Sequence, residues 1–276
     1  MRLFVTGRFV YSLAVLGWGV LGLVYGDFVN SLEPVPAGIP GFAMLATLNG
    51  AVLAAAGLAL MADFRTRAVA GVLAVLFASW VVLLHVPSAF IEPSLLRSPW
   101  WIRTFETLVL CGAALILAGS TPQLRNRLIR WGRLLIGVSL PVFGVLHLIY
   151  ADNVASLIPA WYPWPLFWAY FTGLAHAAAG IAIATGVAVR WAATLAGIMY
   201  GLWALTLHLP RILDHPESYS GDRPELTSML VAVALCGAAW IVAGSGEYRE
   251  GHGYAWMGNR TMKQLTGSQG SPHHRK

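Results

Sequence analysis

Eight apolar runs, each close to the roughly 20 residues that a bilayer crossing takes, divide this chain of 276 residues at short intervals. They lie near 9–25, 42–61, 68–86, 104–119, 134–150, 166–189, 191–209 and 226–244. In hydrocarbon a helix satisfies its own backbone and an open strand does not, so all eight read as helices. Composition agrees: 57% of residues are hydrophobic and only 11% charged, too few charges to cover a water-soluble domain of this size. The formal net charge of +6 does not point to nucleic acid, because the basic residues are scattered through short loops. The expectation is an all-α membrane protein with the lipid bilayer as its first partner.

The eight runs are one unit written twice. Leu84-His85-Val86-Pro87 returns as Leu207-His208-Leu209-Pro210, with Trp80 and Trp203 at the same distance upstream. At a constant shift of 123, positions 36–87 and 159–210 share 16 identities in 52, among them Gly50 over Gly173 and Arg67 over Arg190. Towards both ends the shift is 125, as in Gly7-Arg8 over Gly132-Arg133 and Leu110-Cys111-Gly112 over Leu235-Cys236-Gly237. The length changes fall in loops, as duplication requires. The predicted organisation is a four-helix repeat over 1–122, a basic interfacial linker over 123–131, a second repeat over 132–246 and a disordered tail over 247–276. The first run stays in the protein, since its counterpart near 134–150 is internal and no signal peptide can stand there.

Charge sets the topology. One side, with the termini and the second, fourth and sixth loops, holds 14 of the 18 Lys and Arg. The positive-inside rule then predicts cytoplasmic termini and an inner-membrane location. An even number of helices per unit makes the repeats parallel, related by an axis along the membrane normal. The prediction is eight transmembrane helices as two parallel-related four-helix bundles. The prolines read as lying at helix ends, so helices broken near mid-bilayer, as in many transporters, are not expected. On the other side aromatics gather, as in Trp161-Tyr162-Pro163-Trp164-Pro165, which fits an interfacial belt.

The second half resembles the DoxX-like family of small four-helix membrane proteins. Leu157-Ile158-Pro159-Ala160-Trp161-Tyr162-Pro163, then Trp168 to Gly173 leading into His176 and Gly180, carry the likeness, with Arg190 and His208. The first half is similar but keeps fewer of these residues, with Leu53 where His176 stands. The resemblance implies a four-helix bundle per unit and an association with quinone-linked or other membrane oxidoreductase assemblies. It supplies no catalytic residues.

Ionisable groups inside a span are costly and are functional candidates by default. His176 lies about eleven residues into its run, ~16 Å from its start; His85, His147 and His208 lie near the far ends of theirs. One reading makes each a neutral imidazole bonded to its neighbours. The other gathers His147, His176, His208, Tyr150 and Asp152, with His85 as the first-half member, around the head of a quinone-like ligand. A haem held by two of the histidines is a variant that the spacing does not require. No metal-spaced cysteines, nucleotide loop or nucleophile triad occurs; Cys111 and Cys236 read as packing residues. Glu106 and Arg103, three residues apart, read as a local ion pair. The functional expectation is an accessory or anchoring subunit of a quinone-linked redox system. A transporter or lipid handler, and a purely structural partner, are the alternatives.

Overall fold

The computed structural model describes residues 2–29, 32–91, 100–119, 122–214 and 224–266. The protein is all-α and multi-pass: among the described residues no strand occurs, and eight helical spans are long and apolar enough to cross a membrane. The first half comprises α1 (Arg2–Tyr25), α2 (Phe42–Met61), α3 (Thr66–Trp80) with its continuation α4 (Val86–Ile91), and α5 (Trp100–Ala118). In the second half, α6 (Pro122–Ile149), a short α7 (Ala151–Leu157), α8 (Pro165–Thr185), α9 (Val189–Trp203) continued by α10 (Leu209–Asp214), and α11 (Pro224–Thr266) follow.

The repeat in sequence is a repeat in packing. α1 packs on α2 and on α11, and in the same way α6 packs on α8 and on α5. α3 lies against α5 as α9 lies against α11, while α5 and α11 meet between the halves. Two parallel bundles are thus joined along two equivalent seams. Glycines make these seams possible. A Cβ on Gly7 would stand 2.8 Å from the Gly237 carbonyl oxygen, and one on Gly112 would stand 2.7 Å from that of Gly132. Within the halves, Gly19 meets Gly50 and Gly144 meets Gly173 just as closely. With no hydrophobic drive between helices in lipid, such backbone approach is what holds spans together.

Large side chains fill the interior: Tyr11, Trp18, Leu53, Phe77, Ile136, Leu140 and Tyr200 are all fully buried. Val24, Val75, Leu83, Trp191 and Leu205 stand outward, as lipid-facing residues do.

Three features differ from the sequence reading. The basic stretch 123–131 is continuous with the span that follows, because α6 runs unbroken from Pro122 to Ile149. Alternating basic and apolar residues suit a helix end that climbs out of the membrane as well as one lying on it. α11 continues past Gly246 to Thr266, where loss of apolar periodicity suggested disorder. Extending an existing helix needs no new nucleus, so polar residues suffice. Residues 267–276 lie outside the described residues. Finally, not every proline is at a helix end: Pro141 lies inside α6. Its packing explains its tolerance there. The Gly137 carbonyl, four residues earlier, loses its partner to the proline ring and lies against Gly180 of α8, where any side chain would collide with Pro141.

Candidate functional site

The duplicated Leu-His-x-Pro motif builds the same backbone irregularity twice. Val81–His85 and Ala204–His208 are single π turns, closed by the N–H of Val86 on the Val81 carbonyl and of Leu209 on the Ala204 carbonyl. The cause is local. Pro87 and Pro210 cannot donate, and in a regular helix their rings would strike the carbonyls of Leu83 and Thr206. Widening the preceding turn relieves the clash and turns His85 and His208 away from helical register. Such π turns gather at functional positions.

In the first half the far-side loop closes over this histidine. Leu32 is fully buried and Glu33 is 2% exposed, so the chain tucks into the bundle between α1 and α2. His85 Nε2 lies 3.0 Å from the Leu32 carbonyl oxygen, which can only accept, so this nitrogen carries the proton. Thr107 Oγ1, already donating to the Arg103 carbonyl, lies 3.2 Å from the same nitrogen and accepts a share of that proton. Asn49 Nδ2 donates to both Glu33 carboxylate oxygens at 3.0 Å. Burial pushes the Glu33 carboxyl from an ordinary 4.5 up to about 7, against the opposite pull of Asn49 and a Val29 backbone hydrogen bond. This half is plugged by its own loop.

The second half is built differently. Positions 22 and 53 of the first half hold glycine and leucine; their counterparts are His147 on α6 and His176 on α8. The two rings lie 4.9 Å apart, centroid to centroid. Trp203 of α9 stacks on His147 at 5.6 Å and 13° and lies 5.4 Å from His176. Tyr200 meets His176 edge-on at 5.4 Å, and Phe143 does so at 5.9 Å. His176 is 1% exposed, whereas His147 and Trp203 are half-buried and form the outer part of the cluster.

Hydrogen bonds fix the protons. His147 Nδ1 lies 2.9 Å from the Phe143 carbonyl oxygen and His176 Nδ1 lies 2.7 Å from that of Thr172. Each Nδ1 therefore donates to its own helix, which leaves each Nε2 as an acceptor. The Tyr200 hydroxyl, on the ring that meets His176, is buried and makes no hydrogen bond among the described residues. Its counterpart in the first half is Phe77, in the same edge-on pairing with Trp80. A phenol left without a partner where the repeat manages with a phenyl ring is unusual, because buried hydroxyls are normally satisfied.

Of the residues singled out by sequence, His147 and His176 come together. His208 turns elsewhere: its Nδ1 is 3.5 Å from Glu225 Oε2, and Arg211 Nη2 is 2.6 Å from Glu225 Oε1. That trio ties α10 to the first turn of α11, where a carboxylate also complements the helix dipole. His85 belongs to the plugged half. Tyr150 is the residue before α7, and Asp152 is exposed in its first turn. Glu106 follows Arg103 by three residues on α5. Sequence reasoning missed Tyr200 and Glu33. A polar-for-apolar difference at a repeat position, Tyr200 against Phe77, was the available signal for the first. For Glu33 it was a lone acid in the apolar, proline-flanked stretch Leu32 to Pro36.

The cluster offers two acceptors, one donor and an indole face. It does not suit a haem between the two histidines. Two imidazoles on opposite faces of one metal stand roughly 6 Å apart, given metal–nitrogen bonds of about 2 Å; these rings are closer and tilted by 40°. No protein-family model, curated protein or solved structure matches the chain.

Proposed function

We propose that this multi-pass membrane protein is of the DoxX-like kind. In this reading it holds a quinol or quinone head in its second half, as an accessory or anchoring subunit of a quinone-linked redox system. The observation that carries the reading is the Tyr200 hydroxyl, buried without a hydrogen-bond partner among the described residues, on a ring that packs edge-on against His176. A quinol donates its hydroxyl protons to imidazole Nε2, and a quinone carbonyl accepts from the tyrosine. Either ring finds stacking surface on Trp203. With basic residues concentrated on the terminal side, the positive-inside rule places the termini in the cytoplasm of an inner membrane. The ligand then enters from the opposite side.

Equilibrium binding of a short-chain quinol to the detergent-purified protein tests this. Tyr200→Phe installs the first half's residue and removes only the hydroxyl, so the fold persists. It should weaken binding about tenfold, as loss of a buried hydrogen bond does. His176→Ala should weaken it at least as much, while His85→Ala should leave it unchanged. Equal affinity in the wild type and all three variants would end the proposal.

A second reading, passage of a small apolar solute between the halves, draws on Pro141 within α6 and on the paired π turns. Proteoliposome uptake that Pro141→Ala abolishes would put it first.

A further inference from the structure

On the terminal side, away from the histidines, a cavity of about 590 Å³ opens between the starts of α1 and α3, the end of α5 and the start of α6. Its walls are apolar, with Phe4, Ile116 and Ile129 among them, and its rim carries Arg8, Arg65 and Arg67. Asp63 is the acid at this rim, and it is engaged: it pairs with Arg8 and accepts a 2.6 Å hydrogen bond from Thr66. Among the described residues that line it, three guanidinium charges stand against one carboxylate. The Arg8 Nε is buried and makes no hydrogen bond within the protein.

The duplication supplies an internal control. The loop between α2 and α3 and its counterpart between α8 and α9 share a backbone, with left-handed residues at 63 and 65 matched by 186 and 188. The second half makes the turn with Gly186 and Ala188, so the turn itself requires no charge. The first half places Asp63 and Arg65 there, at a steric cost at position 63 that glycine avoids. Arg133, the counterpart of Arg8, donates to the Ile183 carbonyl at 3.4 Å, and glycine stands at position 186 where the first half has Asp63. Asp63 and Arg65 are additions peculiar to the first half, whereas Arg8 and Arg67 have counterparts in Arg133 and Arg190.

We propose that this cavity binds a phosphate group, with Arg65 and Arg67 as its ligands and Arg8, held by Asp63, lending charge from behind. Planar guanidinium forks match phosphate oxygens. Basic pockets between spans at the membrane surface take phospholipid headgroups, and the apolar walls here suit the start of an acyl chain. A free phosphate anion shares the headgroup's chemistry but has no use for those walls.

Native mass spectrometry of the full chain with added phosphatidylglycerol or phosphatidylcholine tests the site. The wild type should retain phosphatidylglycerol in preference to phosphatidylcholine, whose choline cation faces the basic rim. Arg65→Gln and Arg67→Gln should each lower retention about fivefold, as expected for one basic contact. Arg65→Lys should restore most of it. Asp63→Asn, which removes the opposing charge, should retain at least as much as the wild type, a gain that general damage to the loop would not give. Arg190→Gln, the matching change in the second half, should have no effect. If inorganic phosphate displaces the lipid and no preference between the two lipids exists, the ligand is a soluble phosphate and the lipid source is overturned. Retention unchanged in Arg65→Gln and Arg67→Gln overturns the site.

Discussion

Glu33→Gln should remove about 3 kcal/mol from the dependence of this protein's stability on pH between 4.5 and 8. Glu33 is 2% exposed, and burial raises its carboxyl from 4.5 to about 7 in the folded chain. Between those values the folded protein holds a proton there that the unfolded chain has released, so stability falls as pH rises through the window. The contribution is fully present below pH 4.5 and lost above about 7, and the whole swing is about 3 kcal/mol. Glutamine keeps the shape and an acceptor for Asn49 but cannot ionise. Reversible unfolding in mixed micelles should show wild type and variant alike at low pH, with the variant more stable by about 3 kcal/mol at pH 8. Parallel pH profiles for the two would mean that Glu33 is not held as described.

Gly237→Ala should damage the fold more than its one added methyl suggests. Its new Cβ would stand 2.8 Å from the Gly7 carbonyl oxygen and closer still to the Tyr11 backbone. Backbone cannot swing aside as a side-chain tip can, so α11 and α1 must separate along the seam between the halves. Overpacking of this kind costs about 3 kcal/mol where nothing can yield. Gly71, on the outward face of α3, has nothing within 4 Å of its would-be Cβ. Gly71→Ala should be neutral or slightly stabilising through helix propensity. Steric-trapping measurements of both variants give the contrast directly; equal effects would remove the seam from the account.

What the sequence made legible, and what it hid, follows from the physics of each feature. Hydropathy located every span, and α2 begins and ends at Phe42 and Met61 as expected, because crossing lipid forces long helices whatever their neighbours. The repeat matched Gly7 with Gly132 and Gly112 with Gly237, but only the fold shows that these glycines line equivalent seams. Helix continuity was less visible. The basic stretch that begins α6 and the polar stretch after Gly246 lack the apolar pattern of a span but remain compatible with helix. Pro141 was hidden because its acceptance depends on Gly180, which belongs to another helix.

The sites divide in the same way. His147 and His176 could be singled out because ionisable groups in a span are costly, yet only the fold shows that His208 answers to Glu225 and His85 to Leu32. Tyr200 was one tyrosine among nine until its missing partner was seen. The arginines at 65 and 67 had already served as topology signals, and a residue that explains orientation does not ask for a second role. The cavity beside them does.

The central claim is that the two halves have diverged, with the first closed by its own loop and the second holding a ring-shaped ligand at His147, His176 and Tyr200. Photoaffinity labelling of the membrane-embedded protein with an azido-quinone, followed by peptide mapping, tests it most directly. The account predicts label on α6, α8 and α9, abolished by excess short-chain quinol and reduced about tenfold in Tyr200→Phe. Label confined to the first half, or spread over lipid-facing residues and indifferent to competitor, would contradict it.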